Sequence, residues 1–194
     1  MRRPALCVDT MEIIRNIFDG IALIEPDVFA DERGYFYECF NEEKYREVLG
    51  DLRFVQDNIS ISKFGTIRGL HYQAPPHAQG KLCQVLKGRV IDAAVDIRFG
   101  SPTFGKYYAA ELSEDNHRQL WIPPGYAHGF SVLSHEAIFH YKCTAAYHKA
   151  SERAIRYDDP DIGIDWNIQH AIVSAKDLLA VRLSEVKEEF GYSQ

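Results

Sequence analysis

The run Lys81-Leu82-Cys83-Gln84-Val85-Leu86-Lys87-Gly88-Arg89-Val90-Ile91-Asp92-Ala93-Ala94-Val95-Asp96-Ile97 decides the fold class. Two apolar stretches of strand length flank Lys87-Gly88, a dipeptide that reads as the tight turn of a hairpin. Working outward, the same texture gives expected strands at 54–61, 67–73, 81–86, 90–97, 107–112, 119–122, 130–133 and 138–144. Pro75-Pro76, Gly100-Ser101-Pro102 and Pro123-Pro124-Gly125 punctuate them. No helical period intervenes, which argues against a parallel βαβ sheet. Many short strands between turns point to an antiparallel sandwich or barrel.

On the N-terminal side, turn signals such as Asp19-Gly20 and Asp31-Glu32-Arg33-Gly34 precede an aromatic strand, Tyr35-Phe36-Tyr37-Glu38-Cys39-Phe40. A helix follows with Asn41 as its cap, Glu42 and Glu43 in its first turn and Gly50 closing it; Tyr45 and Val48 face inward. On the C-terminal side a helix is expected from Ser174 to about Glu189, with Ser174 as N-cap and Asp177 in the capping-box position. Residues 1–11 read as a disordered lead, with Met11 an alternative start, and 12–194 as a single domain. The class is mainly β, with a few short helices and a C-terminal helix.

A formal charge of −6 argues against a nucleic-acid binder, whose phosphate contacts need a basic face. An anionic small molecule remains open, because a few convergent cations suffice for it. Cys7, Cys39, Cys83 and Cys143 form neither a CxxC pair nor a zinc spacing, and Met1-Arg2-Arg3 has no apolar run behind it. This reads as a cytoplasmic protein with reduced thiols. No stretch approaches the length of a membrane span.

In Arg68-Gly69-Leu70-His71-Tyr72-Gln73, followed by Gln79-Gly80-Lys81, a histidine able to titrate near neutral pH stands between two cations that could hold an anion or a developing oxyanion. The bland alternative is a strand with one half-buried histidine. Arg68 and His71 differ by three, so a flat strand sends them to opposite faces; both reach one pocket only if Gly69 allows a bulge or Arg68 ends the strand. In 137–144, alternation puts Phe139, Tyr141 and Cys143 on one face and His140 and Lys142 on the other. An inward Tyr141 either hydrogen-bonds a neighbour or serves as a proton donor. The histidines include no HxH pair, and His71 and His128 stand alone in their strands, so no metal is expected. No nucleophile elbow and no glycine-rich phosphate loop occur. The proton carriers and donors that remain, His71, Tyr141, Lys81 and Asp177, suit proton abstraction beside a carbonyl.

Nine segments occur together in order: Asp31-Glu32-Arg33-Gly34, Phe54-Val55-Gln56-Asp57-Asn58, Arg68-Gly69-Leu70-His71, Gln79-Gly80-Lys81, Ser101-Pro102-Thr103-Phe104-Gly105, the stretch 123–130, Tyr141-Lys142, Ile162-Gly163-Ile164-Asp165-Trp166 and Ser174-Ala175-Lys176-Asp177. Across roughly residues 12–182 the chain resembles the dTDP-4-dehydrorhamnose 3,5-epimerase family. The resemblance implies an antiparallel double-stranded β-helix (a cupin jelly roll), a homodimer, no metal or organic cofactor, and a dTDP-linked 4-keto-6-deoxyhexose as substrate. By it His71 is the base for the C3 and C5 protons, Asp177 orients its imidazole, Tyr141 is the acid on the opposite ring face, and Lys81 stabilises the enolate oxygen. Arg33 and Arg68 contact the diphosphate; Glu38, Gln56 and Asn58 match nucleotide-side positions, and His128, Glu152 and Lys176 further binding positions. N-terminal strands carrying Arg33 and Glu38 are expected to reach the partner's site. One departure stands out: the family shows a Tyr-Tyr pair where this chain has Ala146-Tyr147. The alternatives are a single-position epimerase or ketoisomerase of another nucleotide-linked sugar, and a non-catalytic sugar-nucleotide-binding cupin.

Overall fold

A computed structural model describes residues 12–15 and 20–192. The expected N-terminal lead, Met11 and the Asp19 half of the first turn signal lie outside the described residues. The strands are β1 (Glu12–Arg15), β2 (Ala22–Glu25), β3 (Val28–Asp31), β4 (Gly34–Tyr37), β5 (Gln56–Lys63), β6 (Ile67–Gln73), β7 (Lys81–Lys87), β8 (Arg89–Asp96), β9 (Tyr107–Ser113), β10 (Gln119–Ile122), β11 (Tyr126–Val132), β12 (Glu136–Cys143) and β13 (Glu152–Ala154). Helix α1 (Glu42–Leu49) lies between β4 and β5, and α2 (Ala175–Leu178) follows β13. One sheet runs β1-β2-β10-β7-β12-β5 and a second β13-β6-β11-β8-β9, while β3 and β4 pair with each other. All these pairings are antiparallel. The result is the two-sheet jelly roll of cupin-type proteins.

Alternation builds the core. Cys83 and Val85, Val90 and Ala94, Tyr126 and Phe130, and Phe139 point between the sheets into one cluster. The opposite parity of the six-stranded sheet, Ala22, Ile24, Leu82 and Trp121, is covered by Tyr45 of α1. The opposite parity of the five-stranded sheet, including Ile67, Leu70, Ala93 and Val95, is covered by Ile155, Ile162, Trp166 and Leu183 of the C-terminal segment. Helix α1 forms where its end signals place it: the Asn41 side chain accepts from the amides of Glu43 and Lys44, and Gly50 terminates it at φ +83°. Val48 is only half buried.

Three expectations need correction. Lys87-Gly88 is not a hairpin. Strand β7 pairs with β10 and β12, whereas β8 pairs with β9 and β11, so the chain changes sheet at Gly88. Both edges of β7 are taken, and the corner's amides go elsewhere: Gly88 donates to Glu114 (2.9 Å) and Arg89 to the Ser134 hydroxyl (2.9 Å). Gly88 has φ +80°, and a Cβ there would lie 2.2 Å from the Glu136 carbonyl oxygen. The strand expected at 130–133 begins earlier, at Tyr126, because Tyr126–Val132 pairs along the whole of β8 from Asp96 to Val90; small residues at Ala127 and Gly129 hide its period. The C-terminal helix is a single turn. Ser174 caps it through the Asp177 amide (3.1 Å), but the chain then leaves to bridge Val181 with Ile155 and to bury Leu183, whose amide reaches Asp159 (2.6 Å). Long-range pairing overrides helix propensity, leaving only a 3₁₀ turn at Leu183–Glu185.

Candidate active site

At one end of the sandwich the space between the sheets is lined by polar side chains instead of being filled. It forms a cavity of about 430 Å3 whose walls include Gln56, Asn58, Arg68, His71, Lys81, His128, Tyr141 and Glu152. The alternation expected in β12 holds: Phe139 and Cys143 are buried, Tyr141 opens into the cavity, and Lys142 pairs instead with Asp57 (2.9 Å) on the other face. Gly69 removes the obstacle to joining Arg68 with His71. The register of β6 against β11 shifts between His128 and Phe130, and Gly69 sits at φ +141°, where an added Cβ would be 2.5 Å from the Gly129 Cα. This bulge turns Arg68 and His71 to the same cavity.

His71 Nε2 meets Asp177 Oδ1 at 2.6 Å, so the one-turn helix α2 serves to hold a carboxylate behind the imidazole. Burial pushes the Asp177 carboxyl up, but hydrogen bonds from His71, Ser174 and the Gly69 amide, with the His71 charge, hold it below its usual range. Lys81 is buried and its ammonium donates to the His71 carbonyl (3.1 Å). Burial lowers its pKa against the opposing pull of Cys83, Cys143, Asp92 and Glu152. Tyr141 is pushed up to about 12, chiefly by burial, which keeps the phenol protonated and able to donate. Imidazole, ammonium and phenol thus face one space from β6, β7 and β12.

The remaining expected residues divide into two groups. Gln56 donates to Asn58 (2.9 Å) and accepts the Tyr147 amide (2.8 Å); Arg68 is held by Ser62 (3.0 Å). Lys176 pairs with Glu152 (2.5 Å), which also accepts the Tyr147 hydroxyl (3.0 Å). Arg33 and Glu38 are not brought to the cavity of their own chain: Arg33 pairs with Asp31 at the tip of the β3–β4 hairpin, and Glu38 with Lys44 (3.1 Å). Sequence reasoning missed Asp92, which bonds His128 Nε2 at 2.6 Å. Its signal was a lone acid sharing the inward parity of Val90 and Ala94. It also missed Tyr147 as a wall residue, and the grouping of Cys83, Asp92 and His128, whose ligand atoms lie within 4.8 Å of one another. Among the described residues no helix is long and apolar enough to cross a membrane.

The chain is similar in sequence and fold to known proteins. Residues 16–185 match the family model described as dTDP-4-dehydrorhamnose 3,5-epimerase. The Shigella flexneri protein of that name is 50% identical over 87% of this chain and 93% of its own length, and that of Methanothermobacter thermautotrophicus 48% identical over 84% and 90%. A crystal structure of the dTDP-6-deoxy-D-glucose-3,5-epimerase of Legionella pneumophila, in complex with dTDP-4-keto-L-rhamnose, superposes with a TM-score of 0.92 at 49% identity, covering 95% of this chain and all of that one. The jelly roll, the polar cavity at its end and the shared sequence together place this chain in the dTDP-4-dehydrorhamnose 3,5-epimerase family.

Proposed function

We propose that this chain inverts C3 and C5 of dTDP-4-dehydro-6-deoxy-D-glucose, giving dTDP-4-dehydro-L-rhamnose, with His71 as base, Tyr141 as acid and Lys81 as the oxyanion partner. The observation that carries the assignment of roles is the convergence of these three groups on one cavity with Asp177 2.6 Å behind the imidazole. A proton beside a ketone is too weakly acidic for an imidazole unless the enolate is stabilised as it forms. An ammonium at the C4 oxygen in a water-poor cavity supplies that, and preorganised charge is usually the largest catalytic contribution. Inversion needs a second proton carrier on the other ring face, a role the Tyr141 phenol fits. Asp177 sets the imidazole tautomer, as a carboxylate does in hydrolase triads. Arg68 takes the diphosphate, Gln56 and Asn58 the nucleotide side, and His128, Glu152 and Lys176 the remaining contacts. Deuterium wash-in from D2O tests the reaction: label at both C3 and C5 is expected, and label at one position alone would make the chain a single-position epimerase.

We infer further a cytoplasmic homodimer in which Arg33 and Glu38 complete the partner's cavity. Support comes from a hairpin paired to neither main sheet that exposes Val28, Phe29 and Phe36, and from the position of Arg33 and Glu38 away from their own cavity. Mixing Arg33→Ala with His71→Ala protomers tests it. If Arg33 serves the partner, one site of each mixed dimer regains both residues and activity returns; if it serves its own chain, none does.

A further inference from the structure

We propose that Cys83, Asp92 and His128 form a site for a soft divalent cation of the zinc class, and that occupying it shuts turnover off. The three donors come from β7, β8 and β11 and converge between the sheets, with Sγ, carboxylate oxygen and imidazole nitrogen within 4.8 Å of one another and all three residues buried. Cys83 Sγ lies 3.7 Å from His128 Nε2, against the roughly 3.6 Å edge that Zn–S and Zn–N bonds subtend in a tetrahedron. The His128–Asp92 contact of 2.6 Å has to widen by less than about 1 Å to accept the ion. Among the described residues Asp92 Oδ2 has no hydrogen-bond partner, a buried acceptor left unused in an interior where such atoms are rare.

The chemistry of the set fits a borderline-soft ion: thiolate, imidazole and carboxylate are zinc's usual donors, and three protein ligands leave a fourth position for water. His128 lines the cavity, which gives the ion a route in. As the sulfur–metal bond forms, the Cys83 S–H bond breaks and its proton leaves to solvent. Thiolate and carboxylate then balance the dication, so the site passes from the single negative charge of Asp92 to neutral and the neighbouring Lys81 ammonium loses that pull. Coordination replaces the His128–Asp92 hydrogen bond that orients this wall imidazole and adds a bound water beside it, which makes the ion an inhibitor and not a cofactor. Between the sheets a small apolar side chain would fill the position of Cys83 as well, so a thiol there is not demanded by packing.

The test uses the reduced, chelator-treated full chain. One equivalent of cobalt(II) should produce a near-ultraviolet thiolate-to-cobalt band with strong tetrahedral absorption in the visible, both displaced by one equivalent of zinc. Zinc should abolish turnover, and chelator should restore it. Cys83→Val should lose the band, keep its metal-free turnover, and bind zinc more weakly by more than the roughly 10–100-fold that loss of an outer-shell partner costs. Cys83→Ser provides a near-isosteric second variant should valine disturb the fold. Cys143→Val, at the buried thiol that lines the cavity, should keep the band. The proposal is overturned by a wild-type chain with no thiolate band at one equivalent, by a band that survives both Cys83 variants, or by turnover indifferent to bound zinc.

Discussion

Two histidine–carboxylate pairs stand side by side on one wall of this cavity, and their contacts are the same length. His71–Asp177 and His128–Asp92 both join Nε2 to Oδ1 at 2.6 Å, and the two histidines are paired neighbours on β6 and β11. What differs is the surroundings. The His71 side chain is 33% exposed and that of His128 8%. Asp177 is further held by Ser174 and the Gly69 amide, whereas Asp92 Oδ2 has no hydrogen-bond partner among the described residues. Burial lowers the pKa of His128 against the pull of Asp92, which favours its neutral, hydrogen-bonding form. A hydrogen-bonded carboxylate thus does not by itself make a base: the imidazole must also reach solvent to unload its proton, and only His71 is placed to do so.

Mutation should pull the pairs apart. His71→Ala should reduce deuterium wash-in at C3 and C5 by at least about 10⁴-fold, since no second base is available. His128→Ala should cost on the order of 10²-fold in kcat/KM, the loss of one positioned donor; equal losses would erase the distinction. Tyr141→Phe should lower the yield of inverted product by about 10²-fold while His71 continues to exchange label with retention. Loss of exchange together with inversion would instead place Tyr141 on the base's side of the ring. Asp177→Asn should then act on kcat at little cost in stability. Asp92→Asn should do the reverse, costing about 1 kcal/mol in urea unfolding as a charge-assisted bond becomes a neutral one.

How much of this was readable in advance depends on whether the signal is local. Asn41 and Gly50 mark α1 because caps act within four residues. The inward parity of Phe139, Tyr141 and Cys143 follows from a two-residue period. Where the chain turns at Gly88 was legible, but where it goes was not, since the choice between a hairpin and a change of sheet belongs to the partners that occupy both edges of β7. Ser174 announced a helix start that the structure keeps, yet its length was set by Ile155 and Asp159, distant in sequence. The residues that share the cavity were singled out in advance because their motifs stand together. Asp92 escaped because its strand reads as apolar and its meaning lies on β11.

Acid should expose the smallest difference. Asp177 is held below its ordinary pKa, so its contribution to stability is present above the unfolded value of 3.8 and is lost as pH falls through the lower folded value. Asp177→Asn should flatten that acid limb by slightly lowering the neutral plateau, the two proteins converging in acid. A third histidine, His140, supplies a contrast on the outer face of the six-stranded sheet. There a glutamine replaces the carboxylate: Gln84 donates to His140 Nδ1 (2.8 Å), which requires that nitrogen unprotonated. Burial lowers the His140 pKa, so its share of stability is complete above the unfolded value of 6.5 and declines as pH falls below it. Urea midpoints of wild type and His140→Gln should therefore converge between pH 7 and pH 5, windows set by that direction of shift. Parallel curves would mean that protonated His140 finds another acceptor, Asp57 being the charged neighbour that favours its charged form.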